Sequence, residues 1–252
     1  MRKGNNMRIY LSPSNQSTNK YCVGNTNEKA EMEALSRIVK EKLDRDYDCE
    51  AVIATLSLGI GLNERPKEAA DKKCDFYLAI HSNAAGSVTQ NYATGACAFY
   101  HPNHAKSKEL ATALVKELNA VCPIKSNRSS PVNNGMLAFE GAGYGEVRSP
   151  MQKGVGSLLL EVDFHDHPAT AQWIIDNKDT IAGAIVKALV ATFGIAKKSA
   201  TSPKMPEAPA KPAETPQKLY RVQVGAYAVK SNADAMLAKL RSLGIDGYVK
   251  FD

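Results

Sequence analysis

The chain alternates short apolar runs with longer stretches in which apolar residues recur every three or four positions. The runs are Arg8-Ile-Tyr-Leu11, Ala51-Val-Ile-Ala-Thr-Leu56, Tyr77-Leu-Ala-Ile80, Gly95-Ala-Cys-Ala-Phe-Tyr100 and Ser157-Leu-Leu-Leu160. Near-continuous apolar runs of this length suit strands buried on both faces of a parallel sheet. Between the first two, Met32, Leu35, Ile38, Val39 and Leu43 stand at helical spacing. They predict a helix over 28–47, opened by the turn and cap residues of Gly24-Asn-Thr-Asn27. Helices are also predicted over 63–73 and 107–120, with one long helix from Pro168 that buries Trp173, Ile174, Ile181, Ile185 and Leu189. Strands and helices in this alternation predict an α/β domain over residues 7–195, a mostly parallel, doubly wound sheet flanked by helices. Residues 127–150 are rich in Gly and Ser, with Met136, Leu137 and Phe139 as a short apolar patch. They read as a loop or short hairpin bordering a cleft.

The pattern then changes. Residues 196–217 carry five prolines, Pro203, Pro206, Pro209, Pro212 and Pro216, among Ala, Lys and Glu. This composition predicts an extended, semi-rigid linker. Residues 218–252 read as a small βαβ module: a strand over 219–227, a helix over 232–243 and a strand over 247–251. A unit of that size is too small to bury a core alone. It is expected to pair with its own copy in a homodimer or to pack on another surface.

Composition narrows the partners. The 252 residues are 44% apolar and 23% charged, ordinary for a globular chain, and the net charge of +6 suits an anionic polymer. No basic run is interleaved with aromatics, so nucleic acid is set aside in favour of a cell-wall polymer. Cys22, Cys49, Cys74, Cys97 and Cys122 are scattered without Cys-x-x-Cys spacing, as reduced packing residues would be. The start, Met1-Arg-Lys-Gly-Asn-Asn-Met7, runs into a strand without an apolar signal core. No stretch reaches the roughly 18 apolar residues of a membrane span. A protein made in the cytoplasm without a classical signal, reaching a wall only by lysis or non-classical release, is the expectation.

The chemistry gathers where apolar runs stop. The run at 77–80 ends in His81-Ser82-Asn83, and the run at 157–160 leads into Glu161, His165 and His167. Alone, each residue has an ordinary explanation: a strand-end His can cap a loop, and Glu28 can favour the dipole of the helix it opens. Sites of open α/β sheets, however, lie beyond the carboxyl ends of the strands. Glu28, His81, Glu161 and His165 are all expected on that edge. Imidazole and carboxylate donors without thiolate suit a catalytic zinc site with an open position. A further Glu nearby would act as general base and then as proton donor to a leaving amine. His101 and His104, in the loop before the helix over 107–120, read as surface residues.

The same residues resemble the zinc-dependent N-acetylmuramoyl-L-alanine amidases of the type 3 family, found in bacterial autolysins and phage endolysins. The similar pieces are Asn27-Glu28-Lys29, Arg65, Ala79-Ile-His-Ser-Asn-Ala84, Gly95 and Leu160-Glu161-Val-Asp-Phe164, within residues 8 to about 195. The resemblance implies a Zn2+ cofactor and peptidoglycan as substrate, cut between N-acetylmuramic acid and L-alanine. It implies Glu28 and His81 as metal ligands and Glu161 as the catalytic carboxylate. Asn83 and Arg148 are expected to contact substrate. The family usually carries a first zinc ligand in an Asp-Pro-Gly-His loop; here the loop is Ser12-Pro13-Ser14-Asn15, followed by Gln16. An amide oxygen is a poorer zinc ligand than imidazole. Either the site is weakened, or His165 supplies the missing nitrogen after a turn at Asp166 and Pro168; if His165 is not the ligand, Asn15 or Gln16 is next to test. The tail, Tyr220-Arg-Val-Gln-Val-Gly-Ala-Tyr227 with Asn232-Ala233, resembles half of a SPOR domain, a peptidoglycan-binding module. Two functions follow: an active wall amidase, or a non-catalytic peptidoglycan-binding or regulatory protein whose metal site has decayed.

Overall fold

The structure, a computed structural model, describes residues 6–58, 63–86, 92–198, 224–225, 229–242 and 249. The chain divides into two compact units, Met1–Thr201 and Ser202–Asp252. In chain order the first unit holds β1 (Met7–Pro13), α1 (Glu28–Asp46), β2 (Cys49–Ile53), α2 (Glu64–Asp71), β3 (Phe76–Asn83), β4 (Cys97–Tyr100) and α3 (Ser107–Val121). It continues with β5 (Val132–Asn134), two short 3-10 turns (Gly135–Leu137 and Phe139–Gly141), α4 (Gly145–Gln152), β6 (Gly156–Phe164), α5 (Pro168–Asp176) and α6 (Lys178–Phe193). The six strands form one sheet in the order β2-β1-β3-β6-β4-β5. Every pairing is parallel except β4 with β6. The mostly parallel α/β architecture expected from the apolar runs is therefore the one observed.

Alternation along the central strands sorts the core into two layers. Ile9, Leu11, Leu78, Ile80, Leu158 and Leu160 belong to the larger core, with Met32, Leu35, Val39 and Leu43 of α1, Leu110 and Leu114 of α3 and Ile185 and Leu189 of α6. Tyr10, Tyr77, Ala79 and Leu159 belong to a smaller cluster with Ala69 of α2 and Val147 of α4. One sheet face is thus thickly covered, while the other lies under two helices of eight residues each. In β3, His81 follows Tyr77 and Ala79 at a spacing of two, so the strand alternation carries it towards the thinner layer.

Local chemistry sets the element ends that matter. Asn27 caps α1, its side chain accepting from the Ala30 N–H at 3.0 Å, and this brings Glu28 into the first turn. Gly95 precedes β4 with a φ of +105°, and a Cβ there would stand 1.9 Å from Ser126 Oγ, so only glycine fits. Its N–H donates to Asp163 Oδ1 at 2.9 Å, tying the approach of β4 to the end of β6.

Three local features differ from the sequence reading. The long helix expected from Pro168 is two, α5 and α6, broken at Asn177, whose backbone leaves helical geometry (φ −118°, ψ 28°) while its side chain donates to the Trp173 carbonyl at 3.0 Å. Residues 127–150 are not wholly loop: β5 and α4 lie within them. His101 is buried rather than on the surface, and the His104 ring packs on Phe76 with centroids 5.3 Å apart. In the second unit, α7 spans Lys230–Ser242, near the expected helix. The strands expected over 219–227 and 247–251 fall largely outside the described residues, and the described residues lend no support to the expected homodimer. Among the described residues, no helix is long and apolar enough to cross a membrane.

Candidate active site

β3 and β6 run in register, with His81 opposite Glu161. Parallel partners in register project their side chains to the same face, so the two apolar runs deliver an imidazole and a carboxylate side by side. Glu28 arrives from the capped end of α1. Its Oε1 lies 2.9 Å from His81 Nδ1, and its Oε2 accepts from Asn19 Nδ2 at 2.7 Å. The Gln16 amide, from the loop after β1, stands 3.3 Å from the same His81 Nδ1, and Asn19 also donates to Gln16 Oε1 at 2.9 Å. The other imidazole nitrogen, Nε2, lies 2.7 Å from Glu146 Oε2. Gln16, His81, Glu146 and Glu161 border a cavity of about 170 Å3 that Tyr144, Gly145 and Leu159 also line.

The electrostatics are those of a site with excess negative charge. Burial alone would lower the His81 pKa, but Glu146, Glu28 and Glu161 together raise it well above the ordinary imidazole value. Burial would raise Glu28, yet hydrogen bonds from His81, Asn19 and Ser14 and the His81 charge hold it below the usual carboxylate range. Glu161 goes the other way. Burial, helped by the charges of Glu28 and Glu146 and opposed by His81, pushes its carboxyl up to about 8. Its Oε2 is buried without a hydrogen-bond partner among the described residues. Of Glu28 and Glu161, it is therefore Glu161, the one with the open oxygen, that keeps its proton more readily.

His165 is not brought to this group. Its Nδ1 lies 2.8 Å from the Ser82 carbonyl and 3.0 Å from Ser82 Oγ, and its ring stacks on Tyr21 with centroids 5.2 Å apart. Tyr21 in turn donates to Ser82 Oγ at 2.9 Å. Among the described residues, His165 makes no hydrogen bond or ion pair with Glu28, His81 or Glu161. The reason is a register shift. His81 pairs with Glu161 but Asn83 pairs with Phe164, so β6 carries an extra residue that re-aims the chain beyond it. His165 therefore braces Ser82, whose N–H faces Glu28 Oε1 at 3.4 Å. His167 caps α5 through Thr170.

The two expected substrate contacts sit apart from the cavity lining. Asn83 Oδ1 accepts from the Ala84 N–H at 2.8 Å, fixing the turn after β3. The Arg148 guanidinium donates to the Ala142 carbonyl and holds the loop before α4. Glu146, which the sequence reading missed, is buried in the first turn of α4. The one available signal was an acidic residue next to Gly145 after a turn-rich stretch, which by itself points to no site.

Comparison with known proteins agrees with the geometry. Residues 9–191 match the family model described as N-acetylmuramoyl-L-alanine amidase. Residues 216–252 match the SPOR domain model. The sporulation-specific N-acetylmuramoyl-L-alanine amidase of Bacillus subtilis (strain 168) is 21% identical over 249 residues, covering 96% of this chain and 84% of that protein. An N-acetylmuramoyl-L-alanine amidase structure from Clostridium difficile 630 superposes with a TM-score of 0.63 at 21% identity, covering 76% of this chain and 98% of that one. The catalytic domain of such an amidase from Bacillus (Paenibacillus) polymyxa var. colistinus gives a TM-score of 0.62 at 17% identity, covering 75% of this chain and 99% of that one.

Proposed function

The chain belongs to the N-acetylmuramoyl-L-alanine amidase family through residues 9–191, and from that premise we propose a zinc-dependent hydrolase that uses Glu161 as its proton-transfer group. The bond cut is the peptidoglycan amide between N-acetylmuramic acid and L-alanine. The observation that carries the reading is the in-register pair His81 and Glu161, with Glu28 2.9 Å from the imidazole, at the edge of one cavity.

The residues fit a divalent cation. Three carboxylates act on one imidazole, and among the described residues the buried Glu161 Oε2 and Asn15 Oδ1 have no hydrogen-bond partner. Among the described residues, no cluster of three His, Cys, Asp or Glu is arranged for a metal. The donor set here is instead one carboxylate, one imidazole and one amide: Glu28 Oε1, His81 Nδ1 and the Gln16 side chain. Gln16 already stands against His81 Nδ1, and its side-chain oxygen, which accepts from Asn19, would exchange that bond for the cation. Bound zinc would supply Lewis acidity for the amide carbonyl and for water. Glu161 takes the proton from the attacking water and returns it to the leaving nitrogen, a role that suits a carboxyl whose pKa is already raised. Residues 216–252 would hold the enzyme on its insoluble substrate and raise the local concentration of cleavable bonds.

Incubation with a strong chelator followed by dialysis is expected to abolish release of L-alanine amino groups from purified peptidoglycan, and added zinc to restore it. Activity indifferent to the chelator would end the zinc reading. His165→Ala is expected to keep both zinc and activity, while losing about 1–3 kcal/mol of stability as the Ser82 brace goes. Urea denaturation and zinc stoichiometry on the same preparation check this; loss of metal would make His165 a ligand after all.

A further inference from the structure

Glu146 is a buried carboxylate that neither the family resemblance nor the proton-transfer step uses. Its Oε2 lies 2.7 Å from His81 Nε2, and its Oε1 lies 2.9 Å from both Ser12 Oγ and the Tyr77 hydroxyl. Ser12 Oγ also accepts from Arg65 Nη1 at 3.0 Å, and the same nitrogen donates to the Pro13 carbonyl. Arg65 is 1% exposed, and among the described residues its Nε and Nη2 have no hydrogen-bond partner. Groups from β1, α2 and β3 thus hold one α4 side chain against the imidazole.

We propose that Glu146 is the positioning residue of His81: it accepts the Nε2–H, so that Nδ1, which faces Glu28 and Gln16, is the nitrogen left to give its lone pair to a cation once its proton is displaced. The inference rests on the metal-dependent reading above and adds to it the group that sets the ligand's orientation. Packing α4 on the sheet does not require a carboxylate, because an apolar side chain avoids the desolvation cost. A carboxylate on the far nitrogen of a ligating histidine fixes the tautomer and raises ligand basicity. Position 12 supports the assignment. The Ser12 hydroxyl donates to the Glu146 carboxylate at 2.9 Å. The buried Arg65 guanidinium reaches the same Ser12 hydroxyl, so β1 and α2 together fix the carboxylate that α4 supplies.

The test is zinc affinity, measured on the full chain by competition with a chromophoric chelator, together with 15N spectra of the His81 ring in zinc-loaded protein. Wild type is expected to show a protected Nε2–H. Glu146→Ala is expected to bind zinc about 10–100-fold more weakly and to lose that protected signal. Glu146→Gln keeps an acceptor without the charge, so it is expected to fall between the two and retain the signal. Zinc affinity within twofold of wild type in Glu146→Ala, with unchanged ring signals, would overturn the proposal. Should Glu146→Ala fail to fold, the near-isosteric Glu146→Gln carries the test: wild-type affinity there overturns it equally. Wild type that binds no zinc at all is a different failure and removes the metal reading beneath the proposal.

Discussion

Glu161→Gln is expected to cut peptidoglycan hydrolysis by about 10²–10⁴-fold while leaving the fold and zinc binding in place. The side chain is the same size, so the packing of β6 beside β3 is kept; only the capacity to take and return a proton is lost. The residue lines the cavity, opposite His81 in register, and keeps a buried oxygen without a hydrogen-bond partner among the described residues. A second signature follows from linkage in the metal-free protein. With its folded pKa raised to about 8, the Glu161 carboxyl holds a proton in the native state that the unfolded chain releases near 4.5. The native state therefore binds more protons between those values, and stability falls as pH rises through them. Thermal unfolding in chelator should show wild type losing stability relative to Glu161→Gln between pH 5 and pH 8. A difference that does not change with pH would mean Glu161 is not protonated in the folded protein.

His81→Ala carries the largest expected loss of stability. The imidazole is the shared partner of Glu28 at 2.9 Å and Glu146 at 2.7 Å, both buried. Its removal leaves two buried carboxylates facing a hole, and breaking a buried pair in this way costs about 3–5 kcal/mol. Zinc and activity should go with it. Acid should narrow the stability gap, since the stranded carboxylates are relieved by protonation. Urea denaturation at pH 7 and pH 4.5, with metal content at pH 7, measures all of this. A variant as stable as wild type that still holds zinc would show that the cluster is not organised around His81.

The parts of this site that could be read in the sequence are those that follow from strand and helix rules. Two apolar runs that stop at His81 and Glu161 are adjacent parallel strands, and the Asn27 cap brings Glu28 to the same edge. His165 defeated the same logic, because the extra residue in β6 redirects the chain towards Ser82, and such a shift leaves no mark in hydrophobic periodicity. Glu146 was hidden for another reason. Its helix is only eight residues long, contains Pro150 and follows a Gly-rich loop, so no repeating apolar face announces it. His101 ends on the opposite edge because β4 runs antiparallel to β6, which spacing along the chain does not disclose. Gln16 was visible as a candidate donor, but its contact with His81 needed three-dimensional geometry.

Mass spectrometry of the products from purified peptidoglycan, digested by zinc-loaded protein, tests the central claim most directly. The account predicts stem peptides with a free L-alanine amino terminus and glycan strands whose N-acetylmuramic acid lactyl groups end in free carboxyls, both absent with Glu161→Gln. Intact peptidoglycan, or cleavage at any other bond, would contradict it.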